Sequence, residues 1–322
     1  MIVRRGLGEL RPLLAELGVG RPYVIASDRW SRLDLPAAGR WSEVPSDRIG
    51  ELAAAASDAE ADGLLAVGGG SAIDLAKAVS VETGLPVVSV PTTYSGAEWT
   101  PTFGIRDHDR RMQGGGGGAS LAAIVYEPEL SLDLPRGLSV GTALNALAHC
   151  AEALYVRGRN DEGDRHALAG ARKIGRALPA VAADGADRRA RVELLEGADE
   201  AGHALALAGL GLGHAMAQAV GGRYGLPHGG LNAICLPAAL RYNAPVAAEP
   251  IARFGEALET DDPEGRVREL ALLGGYERLR DLGVPEGDLP SLAEAAAVRA
   301  GAKANPRPAG PADVEELLRS VW

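Results

Sequence analysis

Residues 64–79 read Leu-Leu-Ala-Val-Gly-Gly-Gly-Ser-Ala-Ile-Asp-Leu-Ala-Lys-Ala-Val, and this stretch decides the fold. The apolar run predicts a buried strand, the glycines predict a tight turn, and the alanine-rich remainder predicts a helix. Glycines let a ligand approach the backbone closely, and the amino end of a helix attracts negative charge. The Gly68–Ser71 turn is therefore predicted to bind a phosphate group. The alternative is a purely structural turn, in which Ser71 and Asp74 form an ordinary capping box.

Short apolar runs recur on both sides of this stretch, separated by helical patterns. They are Tyr23–Ala26, Leu64–Val67, Val87–Val90 and Ala123–Tyr126. Each run is continuous rather than alternating, as in strands that are covered on both faces. Residues 1–137 are therefore predicted to form an α/β domain with a doubly wound parallel sheet. The five glycines Gly114–Gly118 interrupt this pattern and predict a mobile loop or a close backbone approach.

An acidic residue follows the first of these strands. Asp28 comes just after Tyr23–Ala26, and a carboxylate at the carboxyl end of a strand can bind the two hydroxyls of an adenosine ribose. Together with the phosphate turn, it indicates a dinucleotide-binding domain. Asp28 favours NADH, whereas the neighbouring Arg29 leaves NADPH possible.

After Pro135 the sequence changes to long alanine- and leucine-rich patterns of helical period. These patterns cover residues 142–157, 162–182, 188–221, 228–242, 247–257 and 265–281. No further strand-like run occurs, so residues 138–322 are predicted to form an all-helical domain.

Length and composition exclude several classes of protein. A chain of 322 residues with 46% hydrophobic residues is long enough for two globular domains. The net charge of −10 and the lack of a basic stripe argue against nucleic acid as a partner. No segment approaches 18 consecutive apolar residues, so we expect a cytoplasmic protein with no membrane partner.

Five isolated residues have ordinary structural interpretations. We predict that Cys150 and Cys235 are buried thiols without a disulfide, because they lie far apart in apolar segments. We interpret His108, His166 and His203 as histidines of the core.

Two long strings carry a family resemblance. Residues 68–74 with Pro91–Thr100, and Asn145–Tyr155, resemble the iron-containing alcohol dehydrogenase superfamily, and within it the maleylacetate reductases. The resemblance extends through Leu226–Gly229 to Asn305–Pro308. It implies a dehydroquinate synthase-like fold, with an active site in a cleft between the two domains, and a homodimer.

The resemblance also implies roles for residues of the first domain. It places Gly69, Gly70, Ser71 and Asp74 at the pyrophosphate of the cofactor, and Thr92, Thr93 and Ser95 on its nicotinamide side.

A polar cluster is predicted in the helical domain. His149 lies four residues after Asn145, so the two share a helix face. In metal-dependent members of the superfamily, an aspartate and three histidines occupy the positions of Asn145, His149, His214 and His228. Asn145 replaces the aspartate here, and a neutral amide is a poor ligand for a divalent cation. The resemblance thus implies catalysis by these four residues without metal, although the three histidines would be the ligands if a metal binds.

Two departures from the subgroup concern the substrate. The resemblance predicts a histidine where the chain has Gln218, which cannot act as a general acid. The Gly114–Gly118 run replaces several basic residues, which leaves Arg110, Arg111 and Arg307 as candidates for binding a carboxylate. We also assign Tyr94 and Gln218 to the substrate site.

The resemblance implies an NAD(P)H-dependent oxidoreductase that reduces an unsaturated keto-acid, as in the conversion of maleylacetate to 3-oxoadipate. Three alternatives stay open: a metal-dependent (zinc or iron) alcohol dehydrogenase, a lyase of the dehydroquinate synthase type that uses NAD, and a cofactor-binding protein without catalysis.

Overall fold

The predicted strand, turn and helix around Gly68 lie in the middle of a six-stranded parallel sheet. A computed structural model describes all residues 1–322, and the chain divides into the units Met1–Ser131 and Leu132–Trp322. The sequence predicted this boundary after residue 137. The sheet comprises β1 (Ile2–Arg5), β2 (Pro22–Ile25), β3 (Gly39–Trp41), β4 (Gly63–Gly68), β5 (Val87–Pro91) and β8 (Leu121–Tyr126), in the order β1-β8-β5-β4-β2-β3.

Apolar cores on both faces of this sheet explain its continuous apolar strands. On β4, Leu65 and Val67 join one core, which includes residues of α1 (Leu10–Glu16). Leu64 and Ala66 join the other, which includes residues of α2 (Ile49–Asp58) and α3 (Gly70–Thr83). Burial of both faces requires apolar residues at every position of a strand. The predicted doubly wound sheet is confirmed, and the sequence patterns missed only its short edge strands β1 and β3.

Gly114–Gly116 of the glycine run lie in a strand, so the prediction of a mobile loop was wrong for these three residues. Met112–Gly116 is β7, which pairs antiparallel with β6 (Phe103–Arg106) in a hairpin. A Cβ atom on Gly115 would lie 2.8 Å from the carbonyl oxygen of Phe103, and one on Gly116 would lie 2.8 Å from the Phe103 ring. The alternative prediction, a close backbone approach, is the one that holds.

The second unit is helical throughout. Its helices are α4 (Arg136–Ala153), α5 (Asp161–Ala183), α6 (Arg188–Ala208), α7 (Leu212–Tyr224), α8 (His228–Asn243), α9 (Ala248–Ala257), α10 (Pro263–Leu272), α11 (Leu289–Ala297), α12 (Ala300–Ala304) and α13 (Pro311–Ser320). Every residue of α4 from Ala143 to Ala153 is buried, as expected for a central helix. The single helix predicted over 188–221 is broken at Gly209, whose φ of +87° favours glycine.

No single helix is both long and apolar enough to cross a membrane. Only α6 and α7 taken together reach that length and hydropathy, across a bend of 101°. The two cysteines are free and buried, as predicted. Burial raises the pKa of the Cys235 thiol to about 12 and also raises that of Cys150, so both thiols stay protonated.

Candidate active site

The turn after β4 leaves the amino end of α3 open. Gly69 is the N-cap residue, and no side chain accepts a hydrogen bond there. The capping box considered for Ser71 and Asp74 is therefore absent. The first N–H groups of a helix have no partner within the helix, so an uncapped amino end is suited to bind an anion.

The Thr92–Ser95 segment, which follows β5, packs against this turn. A Cβ atom on Gly69 would lie 3.0 Å from Cγ2 and 3.1 Å from Oγ1 of Thr93, and one on Gly70 would lie 3.4 Å from Oγ of Ser95. The structure thus brings together two segments that are about 25 residues apart in sequence. The Thr93 hydroxyl oxygen is buried and has no hydrogen-bond partner. The turn, the uncapped helix and this hydroxyl fit a dinucleotide pyrophosphate.

Thr92 and Tyr94, on either side of Thr93, are both buried. Thr92 donates its backbone N–H to the carbonyl oxygen of Gly68 at 3.0 Å, which joins the two segments. Tyr94 is 0% exposed. Its contact with the substrate stays a prediction.

Asp74 contacts protein groups rather than the open end of the helix. Its Oδ1 atom lies 2.8 Å from Nζ of Lys77, and its Oδ2 atom accepts the backbone N–H of Gly104 at 3.2 Å. Lys77 is fully buried and also donates to the carbonyl oxygens of Ala97, Thr100 and Thr102. Asp74 and Lys77 therefore hold the segment after Ser95 against α3, a role that sequence patterns did not reveal for Lys77.

Asp28 and the glycine turn both lie at the carboxyl ends of the parallel strands. Asp28 follows β2, which pairs in parallel with β4, and its side chain is exposed. The carboxyl ends of parallel strands lie on the same side of the sheet, and α/β sheets bind nucleotides there. Arg29 stacks on Trp30, with 5.0 Å between the guanidinium carbon and the ring centroid.

Three helices of the second unit bring the predicted histidines together. His149 on α4 and His214 on α7 are stacked, with 4.7 Å between ring centroids and 14° between ring planes. His228, the first residue of α8, lies 5.8 Å from His214 by the same measure. His149 and His214 are both buried. The predicted cluster is thus present in the structure.

Asparagine amides contact two of these rings. Asn145 Nδ2 lies 3.4 Å from His149 Nε2, and Asn232 Nδ2 lies 3.0 Å from His228 Nε2. Asn232 also donates to Asn145 Oδ1 at 2.7 Å. An amide nitrogen can only donate, so Nε2 of each ring is the acceptor. Asn232 was missed by the sequence analysis, although its spacing of four residues from His228 places both on one face of a helix.

Burial and charge keep one histidine neutral. Desolvation lowers the pKa of His149 well below its ordinary value, and the neighbouring His214 and His228 lower it further. His149 is therefore uncharged near neutral pH. The Nδ1 atom of His149 and the Nε2 atom of His214 are buried and have no hydrogen-bond partner in the protein.

Comparisons with known proteins agree with this arrangement. Residues 38–124 match the model of iron-containing alcohol dehydrogenases, and residues 139–322 match that of the Fe-containing alcohol dehydrogenase family, C-terminal. The chain belongs to the iron-containing alcohol dehydrogenase family. It is 37% identical over 277 residues to a maleylacetate reductase of Sphingobium indicum, which covers 85% of this chain and 78% of that protein.

Further comparisons cover nearly the whole chain. Maleylacetate reductase 1 of Cupriavidus pinatubonensis is 33% identical over 96% of this chain and 90% of its own length. The crystal structure of maleylacetate reductase from Agrobacterium tumefaciens covers 100% of this chain and 95% of its own, with 30% identity and a TM-score of 0.88. This iron-containing alcohol dehydrogenase family member is therefore an NAD(P)H-dependent oxidoreductase of the maleylacetate reductase type, with a dehydroquinate synthase-like fold.

The name of the family implies a bound metal ion, but the side chains of the histidine cluster do not fit one. The Nε2 atoms of His149 and His228 face amide donors, and the rings of His149 and His214 are stacked with 14° between their planes. No group of three histidine, cysteine or acidic side chains is arranged to hold a metal ion. The donor set also lacks a carboxylate at position 145. Catalysis without metal stays a prediction, to be decided by metal analysis.

The remaining substrate candidates lie in different places. Gln218 is one turn after His214 on α7, on the same face of that helix. Arg111 is exposed beside the hairpin turn, where its backbone pairs with Asp107. Arg307 stacks on Tyr242, with 3.9 Å between the guanidinium carbon and the ring centroid.

The position of Arg307 does not support its predicted contact with a small substrate at the histidines. Tyr242, on which it stacks, is near the end of α8, and His228 begins that helix. Fourteen residues of helix separate the two, or about 21 Å at 1.5 Å per residue. Arg307 also donates to the carbonyl oxygen of Tyr242, which ties it to this end of the helix.

The other three histidines are not core residues, contrary to the prediction. The side chain of His108 is 82% exposed. His166 and His203 are partly exposed and stacked on each other, with ring centroids 4.5 Å apart. Nδ1 of His166 lies 2.6 Å from the Glu200 carboxylate, and Nδ1 of His203 lies 3.1 Å from the backbone carbonyl oxygen of Asp199.

Proposed function

We propose that this protein reduces a small molecule in which a carbonyl group is conjugated to a double bond and which carries a carboxylate, as maleylacetate does. The observation that carries the proposal is the cluster of three imidazoles held by asparagine amides on α4, α7 and α8. The similarity to maleylacetate reductases supports it, and favours an oxidoreductase over the lyase and the non-catalytic alternatives.

The cofactor is NADH in this proposal, bound at the open amino end of α3. Gly69, Gly70 and Ser71 hold the pyrophosphate through backbone N–H groups, and Thr93 contributes its unpartnered hydroxyl. Exposed Asp28 binds the ribose hydroxyls, which favours NADH over NADPH. When bound, the cofactor supplies the hydride.

The histidine cluster binds the conjugated oxygen of the substrate and supplies the proton. Negative charge develops on that oxygen during reduction, and N–H groups in a buried site stabilise such charge strongly. Neutral His149 is limited to donating a hydrogen bond, because its low pKa prevents it from carrying a second proton near neutral pH. Asn145 orients His149, and Asn232 orients His228. His214 takes up a proton on Nε2, which has no protein partner, and passes it to the substrate in this scheme.

A panel of keto-acids, aldehydes and alcohols tests the proposal. The purified protein is dialysed against a strong chelator, its metal content is measured, and NADH oxidation is followed with each compound. We expect oxidation with maleylacetate-like keto-acids at an unchanged rate after dialysis. Turnover restricted to alcohols and aldehydes, lost on dialysis and restored by zinc or iron, would replace this proposal with a metal-dependent alcohol dehydrogenase. An absence of turnover with any compound would favour a protein without this catalysis.

A further inference from the structure

A buried carboxylate lies directly behind the histidine cluster. Glu152, on α4, is 0% exposed, and its Oε2 atom is 2.6 Å from Nδ1 of His214. Oε2 also accepts the backbone N–H of Gly211 at 2.7 Å, and Oε1 accepts the backbone N–H of His214 at 3.2 Å. Glu152 thus joins the side chain of a cluster histidine to the amino end of the helix that carries it.

The segment before His214 is shaped around this carboxylate. A Cβ atom on Gly211 would lie 2.9 Å from Cδ of Glu152, and one on Gly213 would lie 2.9 Å from Oε1. Gly211 has φ −115°, so space rather than backbone conformation requires glycine there. Both glycines leave room for the Glu152 carboxylate, which a side chain at either position would contact too closely.

The hydrogen bonds determine which ring nitrogen of His214 carries a proton. Backbone N–H groups can only donate, so both oxygens of Glu152 are acceptors. Nδ1 of His214 faces one of these acceptors and therefore bears the hydrogen. Stacking on His149 restrains the plane of the ring. The Nε2 atom of His214 is then left as the buried ring atom without a partner.

We infer that Glu152 is a positioning residue, which holds the His214 proton on Nδ1 so that Nε2 is kept for the reactant. The inference rests on the proposed function for its link to catalysis, whereas the tautomer can be measured without substrate. A carboxylate behind a functional imidazole fixes both its tautomer and its orientation, and its loss costs about 10- to 100-fold in activity. A purely structural Glu152 would act only as a cap for α7.

Glu152→Met and Glu152→Gln separate these two roles. Methionine has no oxygen to accept from Nδ1 of His214, so the ring proton is no longer held there. In Glu152→Gln, an amide oxygen in place of Oε2 can still accept from both the Gly211 N–H and the His214 Nδ1–H, so the tautomer is retained. For Glu152→Met we expect kcat to fall by about 10- to 100-fold, with KM and the NADH dissociation constant within about twofold of wild type, whereas Glu152→Gln should keep the larger part of kcat.

The matched control is Asp164→Asn. Asp164 is a buried carboxylate of the same unit, paired with Arg159 and Arg253 rather than with a histidine. We expect this change to lower thermal stability and to leave kcat unchanged.

The tautomer is read from the ¹⁵N chemical shifts of the histidine rings, with the His214 signal assigned by its loss in His214→Gln. In wild type and in Glu152→Gln the proton should be on Nδ1, and in Glu152→Met this preference should be lost. The inference is overturned if wild type carries the proton on Nε2, a result that needs no folded variant. It is also overturned if a folded Glu152→Met keeps the wild-type tautomer or the wild-type kcat. If no keto-acid is reduced at all, the proposed function fails, and the two tautomer measurements alone decide the role of Glu152.

Discussion

Gly69→Ala is the most direct test of the cofactor site. The backbone of Gly69 (φ −80°, ψ −169°) is open to alanine, so backbone strain does not contribute. The new Cβ atom would lie 3.0 Å and 3.1 Å from the side chain of Thr93, which is closer than ordinary contact. Overpacking of this kind costs about 1–3 kcal/mol of unfolding free energy. The same methyl group would occupy space next to the proposed pyrophosphate site, so we expect NADH affinity to fall at least about tenfold, or about 1.4 kcal/mol.

A double variant separates the two effects of this methyl group. In Gly69→Ala/Thr93→Ala the contact with the Thr93 side chain is relieved, so much of the lost stability should return, whereas the NADH affinity should stay low. Gly50→Ala is a control on α2, where a Cβ atom would meet nothing within 4 Å. It should lower neither the unfolding free energy nor the NADH affinity. The measurements are NADH fluorescence titration and chemical denaturation. A folded Gly69→Ala that binds NADH as tightly as wild type would refute the assignment of the turn to the pyrophosphate.

Three further changes test other parts of the structure. Asn145→Asp keeps the acceptor for Asn232 but places a carboxylate oxygen near His149 Nε2, so it should raise zinc or iron affinity in calorimetric titration; unchanged affinity would show that more than this residue prevents metal binding. Gln218→His adds an ionisable group one turn from His214 and should raise the maleylacetate rate, with a new pH dependence near neutrality. Identical pH–rate profiles for the variant and the wild type would show that Gln218 does not limit the rate. Lys77→Met leaves the Asp74 carboxylate and three backbone carbonyls without the buried Lys77 ammonium and should reduce unfolding free energy by about 3 kcal/mol in urea denaturation, which an unchanged midpoint would contradict.

Local sequence patterns were sufficient for the architecture of this protein. Continuous apolar runs identified the four central strands, because a strand with both faces covered needs apolar residues at every position. The glycine turn identified the open amino end of α3, because the turn and the helix are consecutive in the sequence. The same reasoning failed for Gly114–Gly118: glycine is a poor strand former in isolation, but here the paired strand approaches so closely that Gly115 and Gly116 have no room for a side chain.

The histidine cluster was predicted from its family strings, but its hydrogen bonds were decided by tertiary structure. Asn232 reaches Asn145 across 87 residues, and Glu152 reaches His214 across 62. Neither contact leaves a periodic or local signal, since each depends on the packing of separate helices. The sequence by itself determined the two domain types and the three histidines. Only the packing of α4, α7 and α8 decided that asparagine amides contact two of the rings and a buried carboxylate holds the third, because buried polar groups must find partners wherever the fold places them.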